Sequence, residues 1–224
     1  MSLRVGIMGG MFDPVHRGHL QVALTALNAL ALDHLRLIPC ALPNHREGAS
    51  APASHRLAML ELALTEMNEP RLQTDDREFH RPGVSYMVDT VASLAQQFPE
   101  ASLVYVMGRD SFNTLPNWHR WQHMLDYCHL CVVSRPGVSL ALDTMSAPAA
   151  QWLRARQVTD PMALFTAGEG SDARAGRVCM LDELEEPASS TDIRHKLAAG
   201  SQQMTGMPAV VLEYIKQHQL YTTP

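Results

Sequence analysis

An apolar stretch, Leu3 to Met8, runs into Gly9-Gly-Met-Phe-Asp-Pro-Val-His-Arg-Gly-His19, after which apolar residues recur at helical spacing from His19 to Leu32. Few folds accommodate a strand that turns through paired glycines into a helix. Gly9 and Gly10 carry no Cβ, so the backbone there can approach a ligand closely. A helix starting near Gly18 points its first N–H groups and its positive dipole end at the same place. His16 and His19 add donors from that first turn. The corner therefore suits a polyanion such as a triphosphate. A purely structural βα turn needs one glycine and a cap, not this run.

The alternation continues along the chain. Strands are expected at Leu3–Met8, Leu35–Pro39, Leu72–Thr74, Leu103–Gly108, Leu130–Ser134 and Val178–Leu181. Helices are expected at His19–Leu32, Ser54–Glu66 (with Ser54 as cap), Tyr86–Phe98 and Trp118–Leu125. Strand–helix alternation implies parallel pairing with right-handed crossovers, hence an α/β, Rossmann-like doubly wound parallel sheet with helices on both faces. Ligands then sit at the carboxyl ends of the strands. Gly137 to Gly176 breaks the rhythm: residues 138–177 read as an irregular excursion with one short helix, Ala149–Arg156, and with Ala167–Gly176 as its mobile part. Order returns in a C-terminal helical part, 188–224, with helices from Ser190 to Ala199 and from Pro208 to about Gln217. No repeat and no second core is visible, so one domain, 1–224, is expected.

Composition narrows the chemistry. The formal net charge is −5, which argues against a nucleic-acid footprint. All of the 18 basic residues except Lys196 and Lys216 are arginine, and no glycine precedes a lysine, which excludes a P-loop. No G-x-G-x-x-G occurs either, so phosphate binding falls to backbone, His and Arg. No apolar run approaches membrane-spanning length, and no secretory segment opens the chain; a cytoplasmic protein with reduced thiols is expected. Cys128 and Cys131 form a lone C-x-x-C entering a strand and read as core thiols. His119 and His123 lack the intervening glutamate of a zinc helix, because Arg120 stands there. Asp182 to Glu186 reads as a solvated acidic turn.

A second signature, Ala188-Ser-Ser-Thr-Asp-Ile-Arg194, places three hydroxyls before a helix whose first turn carries an arginine. In isolation it is an ordinary N-cap. Together, the two runs resemble the G-G-T/S-F-D-P-x-H-x-G-H and I-S-x-T-x-x-R motifs of the class I nucleotidyltransferases. Intervening segments point further. Leu42-Pro-Asn-His-Arg46 resembles a P-P-H-R loop, Gly108-Arg-Asp-Ser111 a G-x-D-S turn, Leu115-Pro-Asn-Trp-His119 a P-T-W segment and Pro82-Gly-Val-Ser-Tyr-Met87 a P-S-Y-T segment. Ser134-Arg-Pro-Gly137 resembles an R-R-P-G turn, and Val211 to Tyr221 a closing V-x-x-Y-I-x-x-x-x-L-Y. Taken in order, these resemble the nicotinate-nucleotide adenylyltransferases over essentially the whole chain, least from Val138 to Arg177.

That resemblance implies adenylyl transfer from ATP to a pyridine mononucleotide in NAD biosynthesis. It implies catalytic roles for His16, His19 and Arg194, and ATP binding by Gly9, Gly10, Gly18, Gly108, Asp110, Ser189 and Thr191. It implies mononucleotide binding by His45, Arg46, Tyr86, Met87, Trp118 and Arg135. No protein-held metal is implied; Mg²⁺ arrives with ATP, because it prefers phosphates and water. The partners are these small molecules, without nucleic acid or membrane, and the oligomeric state stays open. Ala188 replaces the usual isoleucine of the second motif, and three departures fall near the expected mononucleotide: Met11 for a hydroxyl residue, Cys40 for the usual strand end, and Met87 for threonine. Met87 leaves the choice of nicotinate over nicotinamide open, although backbone N–H groups at 85–87 could still meet a carboxylate. Phosphopantetheine as acceptor, or a relative that binds nucleotide without turnover, are the competing readings.

Overall fold

The computed structural model describes residues 2–43, 50–134, 145–166, 174–181, 188–201 and 204–222. Seven strands form one parallel sheet: β1 (Arg4–Gly10), β2 (His34–Pro39), β3 (Leu72–Thr74), β4 (Ser102–Gly108), β5 (His129–Val133), β6 (Gln157–Val158) and β7 (Val178–Leu181). Their order is β3-β2-β1-β4-β5-β7-β6. Helices α1 (Arg17–Ala29), α2 (Ala53–Met67), α3 (Met87–Gln97), α4 (Arg109–Thr114), α5 (Ala147–Arg154), α6 (Ser190–Ala198) and α7 (Ala209–Gln217) connect or follow them. The order reverses direction between β1 and β4, which pair from Arg4↔Ser102 to Ile7↔Tyr105. Crevices for ligands form at such a reversal, beyond the carboxyl ends of the strands.

Two compact units make up the chain. The first comprises Met1–Met8, Val22–Leu35 and Tyr86–Glu185. Its central strands are apolar without alternation: every residue of β5, and every residue of β4 but Gly108, is buried. That is the pattern of a sheet covered on both faces. The one imidazole in this core strand, His129, is satisfied by the N–H of Arg177, which donates to its Nδ1 at 3.2 Å. The second unit comprises Gly9–Gln21, Arg36–Ser85 and Glu186–Pro224. Here α7 packs along α2, and the Val210 N–H donates to Glu66 Oε2 at 3.1 Å while the His55 ring and the Tyr214 hydroxyl lie 2.9 Å apart.

The expected strands are all present: Leu72–Thr74 and Val178–Leu181 coincide with β3 and β7, and the others differ at an end by at most two residues. Two elements had no usable sequence signal. β6 is only two residues long, too short for any periodicity, and α4 follows β4 with no spacer. The helix expected at Trp118–Leu125 is instead a pair of 3-10 turns, Leu115–Asn117 and Trp121–Asp126. Arg120 between them adopts a left-handed backbone (φ 49°), which ends helical propagation. Ser54 lies inside α2; Pro52 precedes the helix, and no side chain caps it. Pro208 likewise stands just outside α7. The described part of the 138–177 excursion is ordered into α5, β6 and a 3-10 turn at Pro161–Phe165. Residues 138–144 and 167–173 lie outside the described residues. No helix among the described residues is long and apolar enough to cross a membrane.

Gly6 marks the tightest point of the first unit. A Cβ there would lie 2.7 Å from Leu32 Cδ1 and 2.8 Å from Leu35 Cγ. Gly6→Ala is expected to destabilise by about 1–3 kcal/mol through overpacking. Thermal denaturation should show Tm lowered by roughly 2–12 °C for a chain of this size.

Candidate active site

The first signature folds into a tight loop between β1 and α1, within the second unit. Phe12 takes a left-handed backbone (φ 48°) and buries its ring beneath Gly10, where a Cβ would lie 3.1–3.3 Å from the ring atoms. Gly18 is required for a similar reason: a Cβ there would approach the His16 ring to 3.1 Å and the Ala188 carbonyl to 3.4 Å. The glycines thus bring two sequence-distant segments close, in addition to opening backbone toward a ligand.

The two histidines stack. Their ring centroids are 3.7 Å apart with planes inclined at 26°, and Phe12 meets His19 edge-on at 5.1 Å. The His16 N–H donates to His19 Nδ1 at 3.3 Å. An accepting Nδ1 places the proton of the neutral His19 ring on Nε2, so that atom is a donor. His16 is 1% exposed and His19 half-buried. The first amide of α1 has a different role from the one its position suggested: the Arg17 N–H donates to the Gly206 carbonyl at 2.7 Å.

Asp13 is the junction of the loop. Its buried carboxylate accepts from the N–H groups of Ser50 (2.7 Å) and Ala51 (3.1 Å) and from the Tyr221 hydroxyl (2.7 Å). Burial and the Asp13 carboxylate both push the Tyr221 hydroxyl well above the usual phenol range, so it stays a donor. The Asp13 carbonyl accepts from Arg194 Nη1 at 2.6 Å. Beside it, Ser190 Oγ donates to the Pro14 carbonyl at 3.1 Å. The C-terminal signature is therefore fastened to the N-terminal one through backbone carbonyls. Ser189 caps α6, accepting from the Asp192 N–H, and Thr191 Oγ1 lies 3.4 Å from Arg194 Nη2. His16, His19, Gly9, Gly10, Gly18, Ser189, Thr191 and Arg194 all belong to this unit.

Arg56 supports the loop from below. It is 1% exposed, and its guanidinium donates to three carbonyls: Met11 (2.7 Å), Cys40 (2.6 Å) and Ala51 (3.2 Å). Burial lowers its pKa, and the nearby Asp13 carboxylate opposes that shift. Two of the departures, Met11 and Cys40, thus serve Arg56 through backbone oxygens that any side chain would supply. The Cys40 thiol is pushed up to about 11, first by burial and then by Glu78, and is no nucleophile at neutral pH.

The first unit carries Gly108, Asp110, Trp118, Tyr86 and Met87. Gly108 stands at the start of α4 with Asp110 exposed in its first turn. Arg109, beside them, donates to Ser134 Oγ. Trp118 is half-buried, held edge-on to Tyr105 at 6.1 Å. Tyr86 precedes α3 and accepts at its carbonyl from the Asp89 and Thr90 N–H groups. Its ring lies on His119, centroids 4.2 Å apart. That pairing was not legible in the sequence, where His119 figured only as a failed zinc ligand. Of the amides at 85–87, that of Ser85 donates to the Leu42 carbonyl. Of the three amides expected to meet a carboxylate, that of Ser85 is thus already engaged within the chain. His45, Arg46 and Arg135 lie outside the described residues.

Competing sites are absent among the described residues. No cluster of three His, Cys, Asp or Glu side chains could hold a metal. His123 pairs with Asp126 at 2.8 Å. The cysteines are free thiols, with Cys128, Cys131 and Cys179 buried in the core. Asp182 to Glu186 is outside the described residues.

Residues 7–196 match the family model described as cytidylyltransferase-like. A protein of Aeromonas salmonicida (strain A449) named "Probable nicotinate-nucleotide adenylyltransferase" is 40% identical over 217 residues, covering 97% of this chain and 96% of its own. The protein of the same name from Pseudomonas aeruginosa (strain UCBPP-PA14) is 40% identical, and the match spans both chains fully. Among solved structures, Plasmodium falciparum nicotinic acid mononucleotide adenylyltransferase complexed with NaAD superposes with a TM-score of 0.71, covering 99% of this chain and 98% of that one. At 14% identity this last likeness concerns the fold. Full-length identity to such relatives, with both signatures in place, shows that the chain belongs to the nicotinate-nucleotide adenylyltransferase family of cytidylyltransferase-like nucleotidyltransferases.

Proposed function

We propose that the protein transfers the adenylyl group of ATP to nicotinate mononucleotide, releasing pyrophosphate and forming nicotinate adenine dinucleotide. The observation that carries this reading is the Arg194–Asp13 hydrogen bond, which joins the two signatures across 181 positions of sequence. The kinship with nicotinate-nucleotide adenylyltransferases supplies the acceptor.

The mononucleotide phosphate, with a second pKa of about 6, is largely dianionic at neutral pH and attacks the α-phosphorus without a general base. The chain's task is to align the two phosphates and to neutralise charge on the departing pyrophosphate. The Arg194 guanidinium supplies positive charge, and His19 Nε2–H and the His16 ring supply hydrogen-bonding groups, in a loop tied by Asp13 and Arg56. Ser189, Thr191 and the start of α6 complete the phosphate cradle, with Gly9, Gly10 and Gly18 giving backbone access. Gly108 and Asp110 serve the ATP side. Trp118 offers its face to the pyridine ring, with Tyr86, Met87, His45, Arg46 and Arg135 around the mononucleotide. Mg²⁺ carried on the triphosphate suits this donor set, because the Asp13 carboxylate is already engaged by two N–H groups and a hydroxyl. In that role the ion neutralises phosphate charge. A cytoplasmic setting agrees with these soluble substrates.

Pyrophosphate release from Mg-ATP is the direct test, with nicotinate mononucleotide, nicotinamide mononucleotide and phosphopantetheine supplied separately. Turnover at least about tenfold faster with the nicotinate compound is expected, in line with loss of one charge-assisted hydrogen bond in the amide. Turnover confined to another acceptor, or ATP binding without turnover, overturns the assignment. His19→Ala is expected to lower kcat by about 100–1000-fold, the scale of one lost charge-stabilising donor. Circular dichroism should remain unchanged in that variant. Trp118→Ala is expected to raise KM for the mononucleotide about tenfold, consistent with a lost stacking contact, and to leave KM for ATP nearly unchanged.

A further inference from the structure

Tyr221 lies beyond α7 in left-handed backbone (φ 59°), yet its side chain is 8% exposed. A tyrosine hydroxyl brought into the interior needs a partner, and this one donates to Asp13 Oδ1 at 2.7 Å, 208 positions away. Asp13 is 5% exposed, and its carboxylate has donors from three directions: the Ser50 and Ala51 amides and this hydroxyl. The same residue's carbonyl holds Arg194 Nη1 at 2.6 Å. Side chain and carbonyl share Cα, so a carboxylate anchored by three donors restricts the position from which the carbonyl can reach. Whatever fixes the carboxylate therefore also fixes the carbonyl on which Arg194 is hung. A second tie, Thr191 Oγ1 to Nη2, is long at 3.4 Å and leaves the Asp13 carbonyl as the principal restraint on the guanidinium.

We propose that Tyr221 is a positioning residue for adenylyl transfer: its hydroxyl latches Asp13, and Asp13 in turn aims the Arg194 guanidinium at the triphosphate. This rests on the reading of Arg194 as a phosphate-binding arginine. A tyrosine that merely tacked down the chain would leave the kinetics untouched. A latch acting through Arg194 must lose its effect when Arg194 is gone.

A double-mutant cycle in the full chain separates these cases. Tyr221→Phe removes only the hydroxyl and is expected to lower kcat/KM for ATP about tenfold, with KM for the mononucleotide changed less than about twofold. In an Arg194→Ala background the same substitution should change kcat/KM by less than about twofold. Asp13→Asn keeps the carbonyl hook but weakens the acceptor, and is expected to show the same loss and the same convergence. Its use covers the case in which Tyr221→Phe folds poorly. ATP affinity measured by calorimetry on the same set should follow the same pattern where turnover is too slow to measure. A lowered Tm with unchanged kinetics in Tyr221→Phe, or an equal tenfold loss with and without Arg194, overturns the latch. An Arg194→Ala chain as active as wild type instead overturns the role given to Arg194 itself.

Discussion

A guanidinium enclosed by protein must have its donors met or it destabilises the fold by several kcal/mol. Arg56 meets this demand with three backbone carbonyls drawn from the loop after β1, the end of β2 and the approach to α2. The positive charge is held in place by the same oxygens that it holds. Removing Arg56 would strand Met11, Cys40 and Ala51 carbonyls away from water, and replacing any one of those side chains would not. The glycine-rich loop therefore has a fixed floor whose stability does not depend on the residues lining it. Met11 and Cys40 therefore serve this floor through their carbonyls, whatever their side chains.

Above that floor, Asp13 performs the complementary task. A carboxylate buried next to a buried guanidinium, but hydrogen-bonded to other donors, compensates charge without forming a direct ion pair. The groups proposed to meet the triphosphate, His16, His19 and Arg194, are thus held in place by backbone amides, carbonyls and hydroxyls. Preorganisation of this kind matters because the reaction needs no proton transfer from the nucleophile. Rate then depends on how little the charged groups must rearrange as pyrophosphate departs.

Much of this was visible in the residues. Short apolar runs placed the principal strands and period-3.6 patterns the principal helices, because the central strands are buried without alternation and the helices bury one face. The motifs around His16, His19 and Arg194 named two segments that the structure joins through the Arg194–Asp13 hydrogen bond. Arg56 was overlooked, although a signal existed: it lies three, four and seven residues before Met59, Leu60 and Ala63, on the apolar face of α2, where a charge is out of place. Ser190 was hidden between two hydroxyl residues that the family motif emphasises, yet it is the one that fastens α6 to Pro14. Tyr221 had a place in a closing motif and no role, because its partner is the thirteenth residue and nothing local connects them. The 3-10 turns around Trp118 were missed because a left-handed arginine leaves no mark on hydropathy. The His119–Tyr86 contact depends on ring orientation, which composition does not encode.

The bond between Asp13 and Tyr221 spans 208 positions, and that between Asp13 and Arg194 spans 181. Contacts of such separation form late, since the loop they close is entropically expensive until most of the intervening chain has condensed. During synthesis the glycine loop emerges before α6 and Tyr221, and Asp13 waits for both before its carbonyl and carboxylate can take those partners. A nascent chain stalled short of α6 would display the histidines without the arginine that completes them.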